Sequence, residues 1–520
     1  MMNTIRQALV LIVLLSPASA LLAQTRGEQQ NLHRLEQVAA ALGAGELQRA
    51  ESLLNAVLAA SPRDADALNL LGVLRARQQR GAEAEALFRR ALAVAPSHLG
   101  AQINLGELLL VAARGSEALE VLLAAHRLAP DRPDLNLKLA SLYGGRGEHE
   151  RALEHLRLIP RSAAGADYYT LLLKSLLATG RRDEARNLAR EFTEYRAADA
   201  RVRAEFAVAL ARGGLVDEAL ELLEAARARE PRSFQLLFAL GYISAATGRH
   251  ERAEAYLTEA LSVKPDDVET LRALASVARA TGNFEKALAH LVRARHVAPE
   301  SPRVLYDFGV TALQMGLLLD ALPAFEQLHR AHPREPAYLY GLAAARFRKG
   351  EKSEAVSLLK EYVALRPNDA AGFYLLGAAL NSMEQTAEAR AALEQSIKLK
   401  PDVDAEYLLG ETLVKEGERA AAVELFRRVV QARPDHAAAH AALGAAYREE
   451  GDFAAAKAEL ERAVELDPDD LRANYQLGLV YAKLGDKDGA KKMFARADEL
   501  RGRERQRESV ILKLIDPPQQ

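Results

Sequence analysis

Apolar residues recur along this chain at the spacing of amphipathic helices, with short polar stretches between them. The segment from Pro302 to Glu335 shows the pattern clearly, and its apolar positions at helical spacing are Leu305, Phe308, Ala312, Leu313, Ala321, Phe325 and Leu328. Side chains three and four residues apart share one face of a helix. Gly316 interrupts the pattern, and Pro333 ends it because proline cannot continue a helix. The segment is therefore predicted to form two antiparallel helices joined by a short turn.

The same pattern returns with a fixed period. The tetrapeptide YLLG occurs at 374–377 and again 33 residues later at 407–410. Prolines 33 or 34 residues apart form two runs, which are Pro62, Pro96 and Pro130, and then Pro231, Pro265, Pro299, Pro333, Pro367, Pro401, Pro434 and Pro468. A constant period of this length indicates a solenoid in which each repeat packs mainly on its neighbours. A repeat array is therefore predicted instead of the several globular domains that 520 residues would otherwise suggest.

Two positions hold one kind of residue in nearly every repeat, when Pro302 is counted as position 1. Position 20 is alanine, at Ala50, Ala84, Ala118, Ala152, Ala219, Ala253, Ala287, Ala321, Ala355, Ala389, Ala422, Ala456 and Ala490. Position 24 is leucine or phenylalanine, at Leu54, Phe88, Leu122, Leu156, Leu223, Leu257, Leu291, Phe325, Leu359, Leu393, Phe426, Leu460 and Phe494. We expect the small side chains at positions 8 and 20 to let the helices approach closely. The bulky side chain at position 24 then fills the space between repeats.

This spacing resembles the tetratricopeptide repeat over residues from about 31 to 504. The resemblance implies an all-α, right-handed superhelical solenoid of about fourteen helix–turn–helix repeats. It also implies that the chain binds other proteins or peptides and has no catalytic activity of its own.

The regularity of the pattern sets the expected domain boundaries. Repeats 1–4 are expected over 31–166 and repeats 6–14 over 200–504, with an irregular repeat at 167–199 that forms a bend or hinge. The irregularity shows in Pro160, which falls inside an expected second helix, and in a position-20 alanine that is shifted to Ala185. A short linker is expected at 24–30. The segment 505–520 is expected to cap the apolar edge of the last repeat.

Composition excludes some classes of partner. Hydrophobic residues make up 49% of the chain and aromatic residues 5%, which is enough for a core built mostly from alanine and leucine. The formal net charge is -2, so the chain is not basic enough to follow a nucleic-acid backbone. There is no cysteine, so neither a disulfide nor a lipoprotein cleavage site is possible.

The first residues have the form of a secretory signal peptide. Arg6 precedes an apolar run from Ala8 to Leu15, and Ala18-Ser19-Ala20 fits a small-residue cleavage site, with Ala23 as a second choice. The apolar run is much shorter than the roughly 20 residues of a spanning helix. We therefore expect residues 1–23 to be removed, the protein to be periplasmic or secreted, and no stable membrane span to remain.

Several motifs look catalytic or metal-binding only in isolation. His436 and His440 have the i, i+4 spacing of a zinc pair, but no third ligand lies nearby in sequence. The HERA motifs at 149–152 and 250–253 lack the second histidine of a zinc-protease helix and are expected to start helices. The glycine-rich segment 144–147 follows no strand and falls at an expected turn. We expect no metal, no cofactor and no catalytic residues.

One row of residues suggests a binding surface. In the resembled family, the first helices line a concave groove, and position 5 points into it. This position is aromatic in most of the later repeats, and the candidate groove residues are Phe238, Arg272, Tyr306, Tyr340, Tyr374, Tyr407 and Tyr475, with Ala441 interrupting the row. Tyrosine combines a large apolar face with one polar group, which suits protein recognition. The competing interpretation is that these rings only pack between repeats.

These observations together predict an exported scaffold that binds partner proteins or peptides in its groove. By analogy with fold and location, its role would lie in envelope assembly, secretion or exopolysaccharide machinery. The alternative is a non-catalytic subunit of an envelope enzyme complex, such as a glycosyltransferase. The sequence does not identify the partner or the oligomeric state.

Overall fold

The computed structural model describes residues 26–195 and 197–515, with side chains described for 29–195 and 197–503. All regular structure in these residues is helical, with twenty-eight α-helices and one short 3-10 turn at Arg161–Ala163. The helices alternate between first and second members of antiparallel pairs. The first helices are α1 (Arg26–Gly43), α3 (Ala65–Arg77), α5 (Leu99–Val111), α7 (Pro133–Gly145), α9 (Ala166–Ala178), α11 (Ala200–Arg212), α13 (Phe234–Ala246), α15 (Val268–Ala280), α17 (Pro302–Gln314), α19 (Pro336–Lys349), α21 (Ala370–Ser382), α23 (Val403–Glu416), α25 (Ala437–Glu450) and α27 (Leu471–Lys483).

The second helices come after short turns and run back along their partners. They are α2 (Leu47–Ala60), α4 (Gly81–Val94), α6 (Gly115–Leu128), α8 (His149–Arg157), α10 (Arg182–Glu194), α12 (Val216–Arg229), α14 (His250–Val263), α16 (Phe284–Val297), α18 (Leu318–Ala331), α20 (Lys352–Leu365), α22 (Thr386–Leu399), α24 (Arg419–Ala432), α26 (Phe453–Leu466) and α28 (Lys487–Ile515). Most helices pack mainly on the one before and the one after it, whereas in the irregular region α10 packs on α12 and α11 packs on α13. The all-α, helix–turn–helix architecture predicted from the period is confirmed.

The chain divides into two compact halves. The first half is Met1–Pro265 and the second half is Asp266–Gln520. The expected signal peptide and its cleavage sites lie outside the described residues. The helix α1 begins at Arg26, so part of the segment expected to be a linker is helical.

Close packing within each pair follows from the small residues predicted at positions 8 and 20. The position-20 alanines are all buried, with at most 6% of their surface exposed. A Cβ atom added to Gly410 at position 8 would lie 2.5 Å from Cε1 of Phe426 at position 24. The position-24 side chains are buried too, except for Phe494 in the last pair, which is partly exposed. The predicted roles of positions 8, 20 and 24 are therefore confirmed.

The irregular region differs from the prediction in one respect. The helix α8 has 9 residues and ends at Arg157, whereas α6 before it has 14. Pro160 therefore does not lie inside the second helix, because a proline removes a backbone donor and disfavours helix in the residue before it. Further on, the buried Arg203 donates through Nη2 to the carbonyl oxygen of Tyr195 (2.6 Å) and through Nε to that of Ala198 (3.2 Å). These bonds tie the segment between α10 and α11 to α11. The expected bend or hinge at 167–199 stays a prediction.

The last helix crosses an expected boundary. The backbone of α28 continues past residue 504 to Ile515, through the start of the segment 505–520 that was expected to cap the array. The side chains of that segment lie outside the described residues, so its capping role stays a prediction. Among the described helices, none is both long and apolar enough to cross a membrane.

Candidate functional site

The first helices form the tighter of the two helix layers in the second half. Successive first helices pack on each other there, as α15 does on α17, α17 on α19, α19 on α21 and α21 on α23. Within the described part of this half, successive second helices do not approach each other as closely. The tyrosine side chains at position 5 on this layer are partly exposed, whereas Ala441 is buried. Position 5 therefore belongs to its surface, and the layer is the surface on which to look for a binding site.

Four tyrosines at position 5, which we call the tyrosine row, lie on this layer in successive repeats. They are Tyr306, Tyr340, Tyr374 and Tyr407. The pKa of Tyr340 is raised, mainly by burial. Smaller contributions come from the carboxylate of Asp369 and from the hydroxyls of Tyr374 and Tyr306. The middle tyrosine thus lies within electrostatic reach of the tyrosines before and after it. These three predicted residues therefore lie on the same layer, each one repeat from the next.

The rings of the row also pack against the second helices. The ring centre of Tyr306 lies 6.2 Å from that of Phe325, edge to face, and the ring centre of Tyr340 lies 5.3 Å from that of Tyr362. Tyr407 contacts Phe426 at a tilted angle, with 5.9 Å between ring centres. Each of these rings therefore contributes to packing inside its own repeat while keeping one side exposed. Both interpretations of the row, as packing residues and as a contact surface, are compatible with these positions.

The remaining candidates are placed less uniformly. Phe238 belongs to the first half and stacks between Phe234 (5.9 Å) and Tyr242 (6.2 Å). Arg272 is engaged by two carboxylates, since its Nε donates to Asp307 at 2.7 Å and its Nη1 to Glu269 at 2.9 Å. Tyr475 is 41% exposed, with its ring 5.7 Å from that of Phe494. Arg272 is therefore held within the array, and Tyr475 is the most open of the candidates.

A cavity of about 210 Å³, which we call the alanine cavity, lies between α23 and α25. Its apolar lining consists of Val414, Phe426, Ala442, Ala445 and Ala446. Its charged lining consists of Glu411, Lys415, Arg419, Glu449, Glu450 and Arg472. The hydroxyl of Tyr407 donates to Oε1 of Glu411 at 2.9 Å, so the last tyrosine of the row adjoins the cavity. Sequence reasoning missed this site, although the alanine-rich segment 437–446 was the available signal.

The two histidines with zinc-like spacing have structural partners. Nδ1 of His436 accepts a hydrogen bond from the backbone N–H of Ala439 at 3.1 Å and so caps α25. Nδ1 of His440 lies 2.6 Å from Oε2 of Glu459, and its Nε2 lies 3.1 Å from the carbonyl oxygen of Pro434. Within the described residues, no three histidine, aspartate or glutamate side chains are grouped to hold a metal ion.

The other two motifs are turn and helix-start elements, as predicted. The HERA segments begin α8 and α14, at His149 and His250. The glycine-rich segment 144–147 covers the last two residues of α7 and the turn that follows, where Gly147 adopts a left-handed φ of 78°.

Comparison with known families decides the class of this chain. Models of the tetratricopeptide repeat match residues 35–98, 170–227, 205–268, 306–370, 374–437 and 407–456. Further models of the same repeat match 244–306, 446–485 and 471–503. This chain belongs to the tetratricopeptide repeat family. No curated protein matches it in sequence.

A comparison with solved structures found further similar chains. One is the APC/C hetero-tetramer Cut9–Hcn1, with 15% identity, a TM-score of 0.41 and coverage of 96% of this chain and 98% of that chain. Another is MamA from Desulfovibrio magneticus RS-1, with 27% identity, a TM-score of 0.30 and coverage of 32% of this chain and 94% of that chain. A third is YrrB, described as a TPR protein with an unusual peptide-binding site, with 22% identity, a TM-score of 0.29 and coverage of 34% and 92%.

Membership in the family fixes the general role of the chain. Stacked tetratricopeptide repeats present extended surfaces that bind other proteins or peptides, and the fold is in general non-catalytic. This tetratricopeptide repeat protein is therefore a protein-interaction scaffold.

Proposed function

We propose that this protein is an exported scaffold that binds a segment of a partner protein along the tyrosine row, in envelope assembly, secretion or exopolysaccharide machinery. The observation that carries the binding proposal is the succession of Tyr306, Tyr340 and Tyr374 on the first-helix layer, each partly exposed and one repeat from the next. The export proposal rests on the signal-like sequence at residues 1–23.

The physical case for the row is that its rings are already held in place. The rings of Tyr306 and Tyr340 pack on aromatic side chains of second helices. They therefore lose little conformational freedom when a partner binds. Rigid side chains with an apolar face and a hydroxyl are typical of the few residues that dominate binding energy. The alternative role, a non-catalytic subunit of an envelope enzyme, uses the same surface and differs only in the partner.

The binding proposal is tested by capture of partners from the native envelope. The full chain carrying Tyr340→Ser and Tyr374→Ser should lose at least about tenfold in partner recovery, since each truncation costs about 1–2 kcal/mol at a dominant contact. The matched control is Arg427→Ser with Arg428→Ser, two exposed positions on the second helix α24. Equal recovery by both folded double variants would contradict binding along the row. Capture of an active transferase would favour the enzyme-subunit alternative.

Site-specific crosslinking gives a second test of the same proposal. A photoreactive residue at position 374 should crosslink the partner, and the same residue at position 428 should not.

The export proposal is tested by sequencing the N-terminus of the mature protein, which should begin at Leu21 or Gln24. An intact Met1 on a protein recovered from the cytosol would refute it.

A further inference from the structure

The alanine cavity exists because of a local change in sequence. At positions 6, 9 and 10, the helix α25 carries Ala442, Ala445 and Ala446. The neighbouring helix α23 carries Leu408, Glu411 and Thr412 at the same positions, and α27 carries Gln476, Leu479 and Val480. The helices α23 and α25 also approach each other less closely than the other successive first helices of the second half. Small side chains on helices that stand apart leave open space on the first-helix layer.

Four of the six charged groups around this space are held by neighbours. The ammonium group of Lys415 donates to the carbonyl oxygen (3.0 Å) and to Oδ1 (2.9 Å) of Asn381. On the other side, Nη2 of Arg419 lies 3.2 Å from Oε2 of Glu449. Glu411 is held by the hydroxyl of Tyr407. A cavity whose walls are held in this way requires little rearrangement to bind a ligand.

The chemistry of the lining limits what the cavity can take. Its apolar lining of alanine methyls, Val414 and the ring of Phe426 offers no polar side-chain atom to bind a buried charge or amide. The charged lining has three basic and three acidic residues, so neither sign of charge is favoured. A dry apolar cavity of roughly 150 Å³ is enough to hold a benzene molecule. A volume of about 210 Å³ therefore suits one bulky apolar group.

We propose that the alanine cavity holds one bulky apolar side chain, aromatic or leucine, of the polypeptide that lies along the tyrosine row. Glu411 lines the cavity and also accepts a hydrogen bond from Tyr407, so the cavity adjoins the end of the tyrosine row. A polypeptide that lies along the row therefore reaches the cavity, and one of its side chains is the occupant. This inference rests on the proposed function and adds a specificity pocket to it. It places the partner's apolar group beside α25, the helix in which Ala441 interrupts the tyrosine row.

The test uses a phage-displayed library of random linear peptides, selected on the full chain. Enriched peptides should share one phenylalanine, tryptophan or leucine, and replacing that residue by alanine should weaken binding at least about tenfold. The variant Ala445→Leu fills the cavity and should weaken binding of the selected peptide by a similar factor. The matched control is Ala458→Leu, the same substitution at an exposed position of the second helix α26, which should leave binding unchanged.

The two changes must also be coupled. If the peptide's apolar residue occupies the cavity, its replacement by alanine should weaken binding to Ala445→Leu far less than binding to the unmodified chain. Three results would overturn the pocket. The effects of the peptide change and of Ala445→Leu could be fully additive, or Ala445→Leu could bind normally with its helical circular dichroism unchanged. The third is that no peptide is enriched. Loss of binding by Tyr340→Ser with Tyr374→Ser alongside an unaffected Ala445→Leu would reject the pocket while keeping the proposed function. The native-envelope capture judges the proposed function independently.

Discussion

At the scale of single residues, the turns between paired helices require one left-handed residue each. Glycine occupies most of these turns, and Gly316 with φ of 76° is typical. Three turns use another residue instead, at Gln79, Ala113 and Glu384, with φ of 63°, 58° and 60°. A side chain in this region of backbone space costs roughly 1–2 kcal/mol. These three turns are therefore local weak points that the tight packing of the array tolerates.

Replacing alanine by glycine at such a turn should stabilise the repeat. We expect Ala113→Gly to raise the local free energy of unfolding by roughly 0.5–1 kcal/mol, because glycine adopts this backbone without strain. The reverse change, Gly316→Ala, should lower it by a similar amount, since an added Cβ there meets no atom within 4 Å and only the backbone is strained. Hydrogen exchange of the neighbouring helices measures both. A loss of protection in Ala113→Gly would show that the side chain makes a contact of value.

A second residue-scale feature is the buried histidine of α8. Nδ2 of Asn136 donates to the carbonyl oxygens of Pro130 and Arg132, so its Oδ1 is left to accept from Nδ1–H of His155, at 3.0 Å. The ring stacks on Tyr143 at 5.6 Å and meets the ring of His126 at 4.8 Å. Burial, and then the nearby His126, lower the pKa of His155. The folded state therefore favours the neutral ring.

This lowered pKa predicts acid sensitivity. As pH falls below the unfolded value of about 6.5, the unfolded chain binds a proton that folded His155 does not, so stability is lost. We expect the local stability of α7 and α8, measured by hydrogen exchange, to fall as the pH is lowered below about 6.5. His155→Asn keeps an N–H for Asn136 without a titrating group and should flatten this dependence. The same change at the exposed His33 should leave the profile of α7 and α8 unaltered; an equal effect would exclude His155 as the cause.

At the scale of helices, the position-20 alanines set the spacing within and between pairs. Ala389 on α22 is fully buried, so an arginine there would force both volume and charge into a packed contact. We expect Ala389→Arg to cost several kcal/mol and to loosen residues 370–436 first, because repeats couple mainly to their nearest neighbours. The matched control is Ala391→Arg, at an exposed position of the same helix. Uniform loss of hydrogen-exchange protection along the described helices would mean that the array unfolds more cooperatively than this.

The helices were predictable from sequence because their determinants are local and repeated. Pro333 and Gly316 mark ends and turns by their own backbone chemistry, and Ala389 marks a close contact by its size. The early end of α8 was less accessible, since the effect of Pro160 reaches back to Arg157 and depends on the conformation of the residues between them. The alanine cavity was missed because it depends on the separation of α23 and α25, which no single position encodes. The tyrosine row was predictable as a surface feature, whereas its contacts with the second helices required the structure.

At the scale of the whole chain, the division into two halves falls between α14 and α15. Each half has contacts of its own close to this point. The ammonium group of Lys264 lies 4.1 Å from the ring centre of Phe234 in the first half. In the second half, Arg293 binds Asp266 at 3.3 Å, and Asp267 caps α15 through the backbone N–H of Thr270. The last helix of the first half and the first helix of the second half are therefore each held by contacts within their own half.

The division into two compact units predicts that each half folds alone. Fragments covering 29–265 and 266–503 should each be helical and melt cooperatively, because each keeps its helix pairs and its dense internal packing. Circular dichroism of the two fragments should together account for the helix content of the longer chain. A division at residue 384, inside the turn between α21 and α22, separates a helix pair and exposes the buried Ala389 and Leu393. The fragments from that control should be less helical and should aggregate. If the fragments from the first division are equally unstable, then the array depends on contacts across residue 265 and behaves as one folding unit.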